Sequence, residues 1–152
     1  MTNRPTAEPQ NVEQRNGRIK ESLSKVKEEV NMKEGIYDLE ERLIEFAVRV
    51  IRLTESLPKT PVGRHIVNQL TRSGTSPAPN YGEAQDAESR ADFVHKLKIV
   101  LKELRETRVW LLMIQHAGLI KPITKLESLI QENNELISIF VKSVKTARRT
   151  KK

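Results

Sequence analysis

The sequence predicts an all-α protein built as an antiparallel, up-down four-helix bundle. Four segments place apolar residues at spacings of three and four, which puts them on one face of a helix. Residues typical of helix caps stand at the borders of these segments. Runs that alternate between apolar and polar residues, as strands require, are missing, and aromatic residues make up only 4% of the chain. Because the connections are short, consecutive helices should run antiparallel.

The first segment extends from Asp38 to Leu57. Asp38 with Glu41 three residues later resembles a capping box, and Pro58 cannot continue the helix. The apolar stripe of this segment consists of Ile36, Leu39, Leu43, Phe46, Val50, Leu53 and Leu57.

The second segment begins at Thr60 and Pro61, an N-cap followed by a proline in the first helical position. Its apolar face contains Ile66, Val67 and Leu70. The segment then meets the run Ser-Gly-Thr-Ser-Pro-Ala-Pro at residues 73–79. Local rules predict that the helix ends or kinks there.

The third segment is the longest and extends from about Ala91 to Ala117. Ser89 with Asp92 predicts a capped start. Gly118 predicts a C-cap, because glycine readily adopts left-handed backbone angles. The stripe of this segment consists of Phe93, Leu97, Val100, Leu104, Thr107, Leu111 and Ile114.

The fourth segment begins near Pro122 or Thr124, and Thr124 with Glu127 resembles another capping box. Its stripe alternates spacings of three and four without a slip, which is the pattern of a heptad seam. Asn133 is the one polar member, and a single buried Asn can fix helix register at a cost in stability. The stripe consists of Ile123, Leu126, Ile130, Asn133, Ile137, Phe140, Val144 and Ala147.

These segments divide the chain into three parts. Residues 1–35 form a polar N-terminal extension, residues 36–147 the four-helix bundle, and residues 148–152 a basic C-terminal tail. Ile19, Leu23, Val26 and Val30 have helical spacing within the extension. The extension is therefore either an amphipathic helix over residues 11–31 or, given its charge and few large apolar residues, a disordered segment.

The excess positive charge is concentrated at the C-terminal end. The net charge is +7, and residues 121–152 hold eight basic and three acidic residues. A basic end attracts polyanions such as RNA. The same residues also fit a solvated helix end, where cations suit the helix dipole. The candidate nucleic-acid-binding residues are Lys142, Lys145, Arg148, Arg149, Lys151 and Lys152.

The composition and the missing motifs exclude or disfavour several kinds of catalytic and metal site. Cysteine is absent, which excludes disulfides, Cys-based zinc sites and thiol catalysis. Neither a glycine-rich phosphate loop nor a Gly-x-Ser-x-Gly motif occurs. Asp92-x-x-His95 resembles one half of a di-metal site in a helical bundle, but the second half is missing. We therefore expect no catalytic residues, no metal and no cofactor.

The sequence also bears on the location of the protein. The N-terminus lacks the apolar core of a signal peptide, and no apolar run approaches the roughly 20 residues of a membrane span. The absence of cysteine fits a reducing compartment. We therefore expect a soluble, cytoplasmic protein without a membrane partner.

Six polar residues recur at helical spacing on or beside the predicted core stripes. They fit an interhelical network in which Arg72 contacts Glu83 or Glu106, and they also fit a polar partner site. The six residues are Arg72, Ser76, Asn80, Glu83, Glu103 and Glu106. Trp110 flanks the stripe of the third segment, where it is either half-buried core or part of a protein interface.

Three runs of the chain resemble a known family, the 23S rRNA intervening-sequence proteins. They are Arg-Ser-Gly-Thr-Ser-Pro-Ala-Pro-Asn-Tyr-Gly-Glu-Ala at 72–84, Ser-x-x-Asp-Phe-x-x-Lys-Leu at 89–97, and Leu-Lys-Glu-Leu-Arg-Glu-Thr-Arg-Val-Trp-Leu at 101–111. The resemblance covers about Leu39 to Leu119. It implies a small bundle whose members assemble into ring-shaped homopentamers. It also implies that the second helix continues, kinked, through Pro77 and Pro79 to about Ala87.

The accessory variability determinants of diversity-generating retroelements are similar to this family in fold. They are basic pentamers that bind a reverse transcriptase and nucleic acid. Our leading hypothesis from the sequence is a non-enzymatic, homo-oligomeric interaction protein that associates with RNA or a ribonucleoprotein through basic residues. The alternative is a protein-only scaffold or accessory subunit, whose Trp110 and first helix dock a nucleic-acid enzyme such as a reverse transcriptase.

Overall fold

The computed structural model describes residues 9–33 and 38–149, and every regular element in these two ranges is an α-helix. The all-α prediction is therefore confirmed. None of the described helices is long and apolar enough to cross a membrane. The helices are α1 (Pro9–Lys33), α2 (Leu39–Glu55), α3 (Pro61–Thr75), α4 (Pro77–Gln85), α5 (Arg90–Ala117) and α6 (Ile123–Arg148).

Hydrogen bonds at the helix ends confirm most of the predicted borders. Asp38, Thr60 and Ser89 each accept the backbone N–H of the third following residue, at 2.9 to 3.1 Å. Gly118 ends α5 with a left-handed φ of 63°. The predicted capping box at Thr124 is wrong, because α6 already begins at Ile123 and no side chain caps its first turn.

The predicted interruption within residues 73–79 lies at Ser76, between α3 and α4. Ser76 keeps helical backbone angles (φ −70°, ψ −35°), so the chain passes from α3 to α4 without a loop. Pro77 has no N–H and cannot donate the helical hydrogen bond to the carbonyl four residues earlier. The break is thus local and has a local cause.

The core forms where the inward stripes of the helices meet. The stripe predicted for the third segment is buried in α5, and that of the first segment is buried from Leu39 to Leu53 in α2 and at Leu57 just after it. Ile36 lies outside the described residues. The stripe of α6 differs from the prediction, because Leu129 and Leu136 are buried whereas Ile130 and Ile137 are only partly buried and Ile123 is exposed. Both members of each adjacent apolar pair fit a three-four spacing, so periodicity alone does not decide between them.

Helices α2 and α5 make most of the contacts between helices. Both α2 and α5 contact α3, α4 and α6, and α1 contacts α6. Of the two alternatives for the N-terminal extension, the structure has the helix: α1 extends over Pro9–Lys33. The apolar residues of α1 that join the core are Leu23, Val26 and Val30.

Candidate nucleic-acid interface

A basic groove lies between α1 and the end of α6, beside the start of α5. Two adjoining cavities of about 440 and 750 Å³ form it, and both are lined by Arg18, Ser22, Val26 and Arg90. Six basic side chains line these cavities together with two acidic ones. We call this surface the α1–α6 groove. Its basic side chains are Arg15, Arg18, Lys25, Arg90, Arg148 and Arg149.

Arg90 connects the start of α5 to the last turn of α6. Its Nε donates a hydrogen bond to the carbonyl oxygen of Ala147 at 2.7 Å, and its Nη2 donates to the carbonyl oxygen of Arg149. The last carbonyls of a helix lack partners within the helix, and this end of the helix dipole is negative. The guanidinium of Arg90 therefore stabilises the end of α6 and holds it beside α5.

Lys27 positions α1 on the rest of the molecule. Its Nζ donates to the carbonyl oxygen of Ala87 at 3.1 Å and to that of Gln85, where α4 ends. The same ammonium lies 5.8 Å from the centroid of the Phe93 ring, within the range of a cation–π interaction. These contacts and the buried apolar residues of α1 place its basic side chains opposite the end of α6.

The structure places the predicted basic residues in different positions. Arg148 and Arg149 line the α1–α6 groove. Lys142 and Lys145 are exposed on α6 but do not line its cavities. Lys151 and Lys152 lie outside the described residues.

Sequence reasoning missed the basic residues that α1 and α5 contribute to the groove. Residues 1–35 are nearly charge-balanced, which hid their contribution. The available signal was spacing, because Arg15, Arg18, Ser22 and Lys25 recur at steps of three and four on a helix. Arg90 carried no such signal, because its position follows from the packing of α5 against α6.

The six predicted polar residues form three separate groups rather than one network. Arg72 contacts Glu103, at 3.3 Å from Nη1, and Glu106 on α5. The amide of Asn80 donates to the carbonyl oxygen and hydroxyl of Ser76 at 2.9 and 3.0 Å.

Glu83, the sixth of these residues, accepts from Lys96 at 2.6 Å. Arg72 and Glu83 are eleven residues apart along α3 and α4, which separates them by about 16 Å. They therefore contact different parts of α5.

The carboxylate of Glu106 lies near the guanidinium of Arg72 and the indole of Trp110. The hydrogen bond from Arg72 is the main reason that the pKa of Glu106 is lowered, and the Trp110 N–H contributes to the same shift. The indole N–H of Trp110 is nevertheless outside hydrogen-bonding geometry with every described residue. Trp110 is half-buried, and its ring meets that of His65 edge-on at 5.8 Å between centroids.

Two hydroxyls are buried where α3 packs against α5. The Oγ1 of Thr107 lies 3.0 Å from the Oγ of Ser73 and 2.8 Å from the carbonyl oxygen of Glu103. Both side chains are fully buried. Each hydroxyl therefore meets its need for a partner inside the protein.

Acidic and histidine side chains do not gather at one point in the described parts of the chain. There, no group of three or more His, Asp or Glu side chains lies close enough to hold a metal ion. Asp92 and His95 have no third companion of this kind in residues 9–33 and 38–149.

Fold and groove together define an all-α protein with a basic surface suited to polyanions. The chain belongs to the 23S rRNA-intervening sequence protein family, whose profile matches residues 37–142. A crystal structure of a protein of unknown function from the S23 ribosomal protein family of Bacteroides thetaiotaomicron is also similar. It shares 35% identity with a TM-score of 0.64, over 70% of this chain and 97% of that one. No curated protein matches the chain.

The family match covers only a small part of the α1–α6 groove. It contains α2 to α5 and most of α6, but neither α1 nor the last turn and a half of α6. Five of the six groove cations therefore come from outside the family match, and Arg90 alone comes from within it.

Proposed function

We propose that this protein is a non-enzymatic, homo-oligomeric helical bundle that associates with RNA or a ribonucleoprotein. The observation that supports RNA association is the α1–α6 groove, which is lined by six basic side chains from three helices and by only two acidic ones. Lys and Arg side chains attract the phosphate backbone, and contacts to phosphates position a protein without reading base sequence. Association of this kind takes place in the cytoplasm, where ribosomal RNA resides.

The proposed fold is an antiparallel up-down four-helix bundle of α2, α3–α4, α5 and α6. Arg42 contacts Glu132 at 2.6 Å, whereas Arg49, seven residues later, contacts Ser128, which lies earlier in α6. The start of α5 likewise meets the end of α6 through Arg90. These pairs run in opposite directions, as the bundle requires.

In this fold, α3 and α4 act as one helix with a kink at Ser76. From Arg72 to Glu83 the contact point moves eleven residues forward, while on α5 it moves back from Glu106 to Lys96, ten residues. The antiparallel register is thus kept across the break. The helical backbone angles of Ser76 allow α4 to follow directly on α3.

Self-association is supported by apolar side chains that point away from the core. Ile44, Val48 and Ile51 recur at helical spacing on α2, and each is at least 38% exposed. Val109 and Met113 do the same on α5. Because α2 and α5 stand on either side of α3 and α6, the two stripes face apart. Two different faces that bind each other between copies generate a ring when the rotation closes, and we propose a pentamer.

The contacts of the polar residues favour binding over catalysis. The carboxylates of Glu83, Glu103 and Glu106 are engaged by Lys96 or Arg72 in ion pairs between helices. Such pairs stabilise and orient helices. Our proposal therefore assigns these residues to the structure and assigns the partner to the basic groove.

The RNA proposal is tested by fluorescence anisotropy with a short labelled RNA at several salt concentrations. We expect the logarithm of the affinity to fall linearly with the logarithm of salt. The triple variant Arg18→Gln/Arg148→Gln/Arg149→Gln should flatten this slope by about 0.7 for each RNA phosphate that the protein no longer neutralises. The matched control, Lys98→Gln/Lys102→Gln/Arg105→Gln, removes the same charge from exposed positions of α5.

Two results would contradict the RNA proposal. One is the absence of RNA binding by the unaltered protein at low salt. The other is an equal loss in both triple variants, because that result makes binding a matter of total charge rather than of the groove.

Self-association is tested by a solution mass measurement with and without nuclease treatment. Five copies of the 17.5 kDa chain give a mass of about 88 kDa. We expect this mass to persist after nuclease treatment. Val48→Glu should reduce it, since a buried charge in an interface is costly. A mass of one chain under both conditions would contradict the proposed oligomer.

A further inference from the structure

A second basic groove lies at the opposite end of α6 from the first. It is a cavity of about 510 Å³ between the last turns of α2 and the first turn of α6. Four basic side chains line it: Arg49, Arg52, Lys121 and Lys125. No acidic side chain lines it, and Thr124 and Ser128 add hydroxyls. We call it the α2–α6 groove. Along α6, the nearest lining residues of the two grooves are Leu129 and Arg148, which lie about 29 Å apart.

The four basic residues lack the partners that cations have elsewhere between the same helices. Arg42, two turns earlier on α2, binds Glu132 and Glu135 of α6 at 2.6 and 2.7 Å. In contrast, none of the four groove cations forms an ion pair with a described carboxylate, and Arg49 donates only to the hydroxyl of Ser128 at 2.8 Å. The groove thus gathers four positive charges, none of which is paired with a described carboxylate.

Helix stability does not explain this arrangement. The first turn of a helix carries the positive end of the dipole and favours acidic residues. The first turn of α6 has no acidic residue and no side-chain cap, and it contains Lys125. Lys121 and Arg52 add further repulsion from outside the helix. A bound anion would relieve all of these unfavourable interactions.

We propose that the α2–α6 groove binds phosphate groups. Guanidinium groups bind phosphate in a bidentate manner, lysines bind it as point charges, and hydroxyls donate to its remaining oxygens. The phosphate belongs either to a nucleic-acid backbone or to a free phosphorylated small molecule. The proposal is independent of RNA binding at the α1–α6 groove, because the two surfaces share no residue.

The experiment uses the full chain and two probes at low salt. Inorganic pyrophosphate is titrated by calorimetry, and a short poly(U) RNA is titrated by fluorescence anisotropy. The test variant is Arg52→Gln/Lys125→Gln, and the matched control is Lys98→Gln/Lys102→Gln; all four side chains are exposed. Lys125→Gln alone serves as a second test variant, and circular dichroism verifies that each variant is folded.

We expect the test variant to lose about tenfold in affinity for at least one probe, while the control keeps the affinity of the unaltered protein. A loss for pyrophosphate identifies a free phosphate compound as the ligand, and a loss for RNA alone identifies the backbone. Equal affinity of test and control variants for both probes would overturn the proposal. So would the failure of both probes to bind the unaltered protein. If RNA does not bind but pyrophosphate does, the RNA proposal fails and this one stands.

Discussion

Arg90 Nε donates a hydrogen bond to the carbonyl oxygen of Ala147 at 2.7 Å and so joins the first turn of α5 to the last turn of α6. The substitution Arg90→Gln removes this bond and the charge that faces the negative end of α6. We expect a loss of about 1 kcal/mol in the free energy of unfolding. Amide hydrogen exchange measured by mass spectrometry should become faster in residues 144–149.

The control for this prediction is Arg18→Gln. Arg18 lines the same groove, but no hydrogen bond joins it to the end of α6. Both variants lose one positive charge from the groove, so both should weaken RNA binding. Only Arg90→Gln should accelerate exchange at the end of α6. Equal exchange in the two variants would show that Arg90 does not stabilise this helix end.

Gly74 of α3 packs directly against Val50 of α2. A Cβ atom at this position would stand 2.7 and 2.9 Å from the two Cγ atoms of Val50, which is fully buried. A β-branched side chain has few rotamers into which it can retreat. We expect Gly74→Ala to destabilise the protein by about 1–2 kcal/mol in urea unfolding, although alanine is the better helix former by about 1 kcal/mol.

A second glycine on the neighbouring helix gives a matched control. At Gly82 the nearest atom to an added Cβ is Glu40 Oε1 at 3.8 Å, an ordinary contact. Gly82→Ala should therefore be neutral or stabilise the protein by up to about 1 kcal/mol. In the double variant Gly74→Ala/Val50→Ala the new methyl has room, so its cost should be less than the sum of the single costs. Strict additivity would contradict the proposed contact.

The sequence was sufficient for those parts of the fold that depend on neighbouring residues. Asp38, Thr60, Ser89 and Gly118 all define helix ends where local chemistry predicts them. A cap is a contact between residues three positions apart, and the sequence displays it directly. The prediction at Thr124 was wrong because α6 begins one residue earlier, at Ile123, so Thr124 lies inside the first turn and not at the N-cap.

Tertiary contacts determine the core stripe of α6 and the lining of the α1–α6 groove, which sequence patterns alone did not predict correctly. Periodicity placed Ile130 and Ile137 on the core stripe of α6, but the packing buries Leu129 and Leu136 instead. Sequence reasoning missed part of the α1–α6 groove because tertiary packing, not local sequence, brings its cations together. Its cations come from α1, α5 and α6, and net charges summed along the chain do not reveal side chains that only folding brings together.

The ion pair between Arg72 and Glu106 makes a contribution to stability that depends on pH. The hydrogen bond from Arg72 lowers the pKa of Glu106 in the folded protein. A lowered pKa means that the contribution is complete above the unfolded carboxyl pKa, about 4.5, and is lost as the pH falls through the folded value. Because Arg72 is half exposed, we expect a contribution of only about 0.5–1 kcal/mol.

Urea unfolding at pH 7 and pH 3 measures this contribution. Glu106→Gln should be less stable than the unaltered protein at pH 7, and the difference should shrink at pH 3. Glu127→Gln is the control, since Glu127 is exposed on α6 and forms no ion pair with a described residue. A difference for Glu106→Gln that is the same at both pH values would speak against the ion pair.

Asn133 is fully buried in α6 and is only partly satisfied. Its Nδ2 donates to the carbonyl oxygen of Leu104 at 3.2 Å, but its Oδ1 accepts from no described group. An unpaired buried acceptor costs about 1–3 kcal/mol. Leucine has the same branched shape, and the carbonyl of Leu104 keeps its partner within α5. We therefore expect Asn133→Leu to raise the free energy of unfolding by about 1 kcal/mol.

The control variants separate polarity from packing at this position. Asn133→Ala removes the unpaired oxygen but leaves a cavity, so it should destabilise the protein by about 1–3 kcal/mol. Asn134→Ala changes an exposed neighbour that accepts from Arg108, and it should alter stability by less than about 0.5 kcal/mol. A lower free energy of unfolding for Asn133→Leu than for the unaltered protein would contradict this prediction and would indicate that Oδ1 stabilises the fold. A gain in stability with several oligomeric masses in solution would instead indicate that Asn133 keeps the helices in register at the expense of stability.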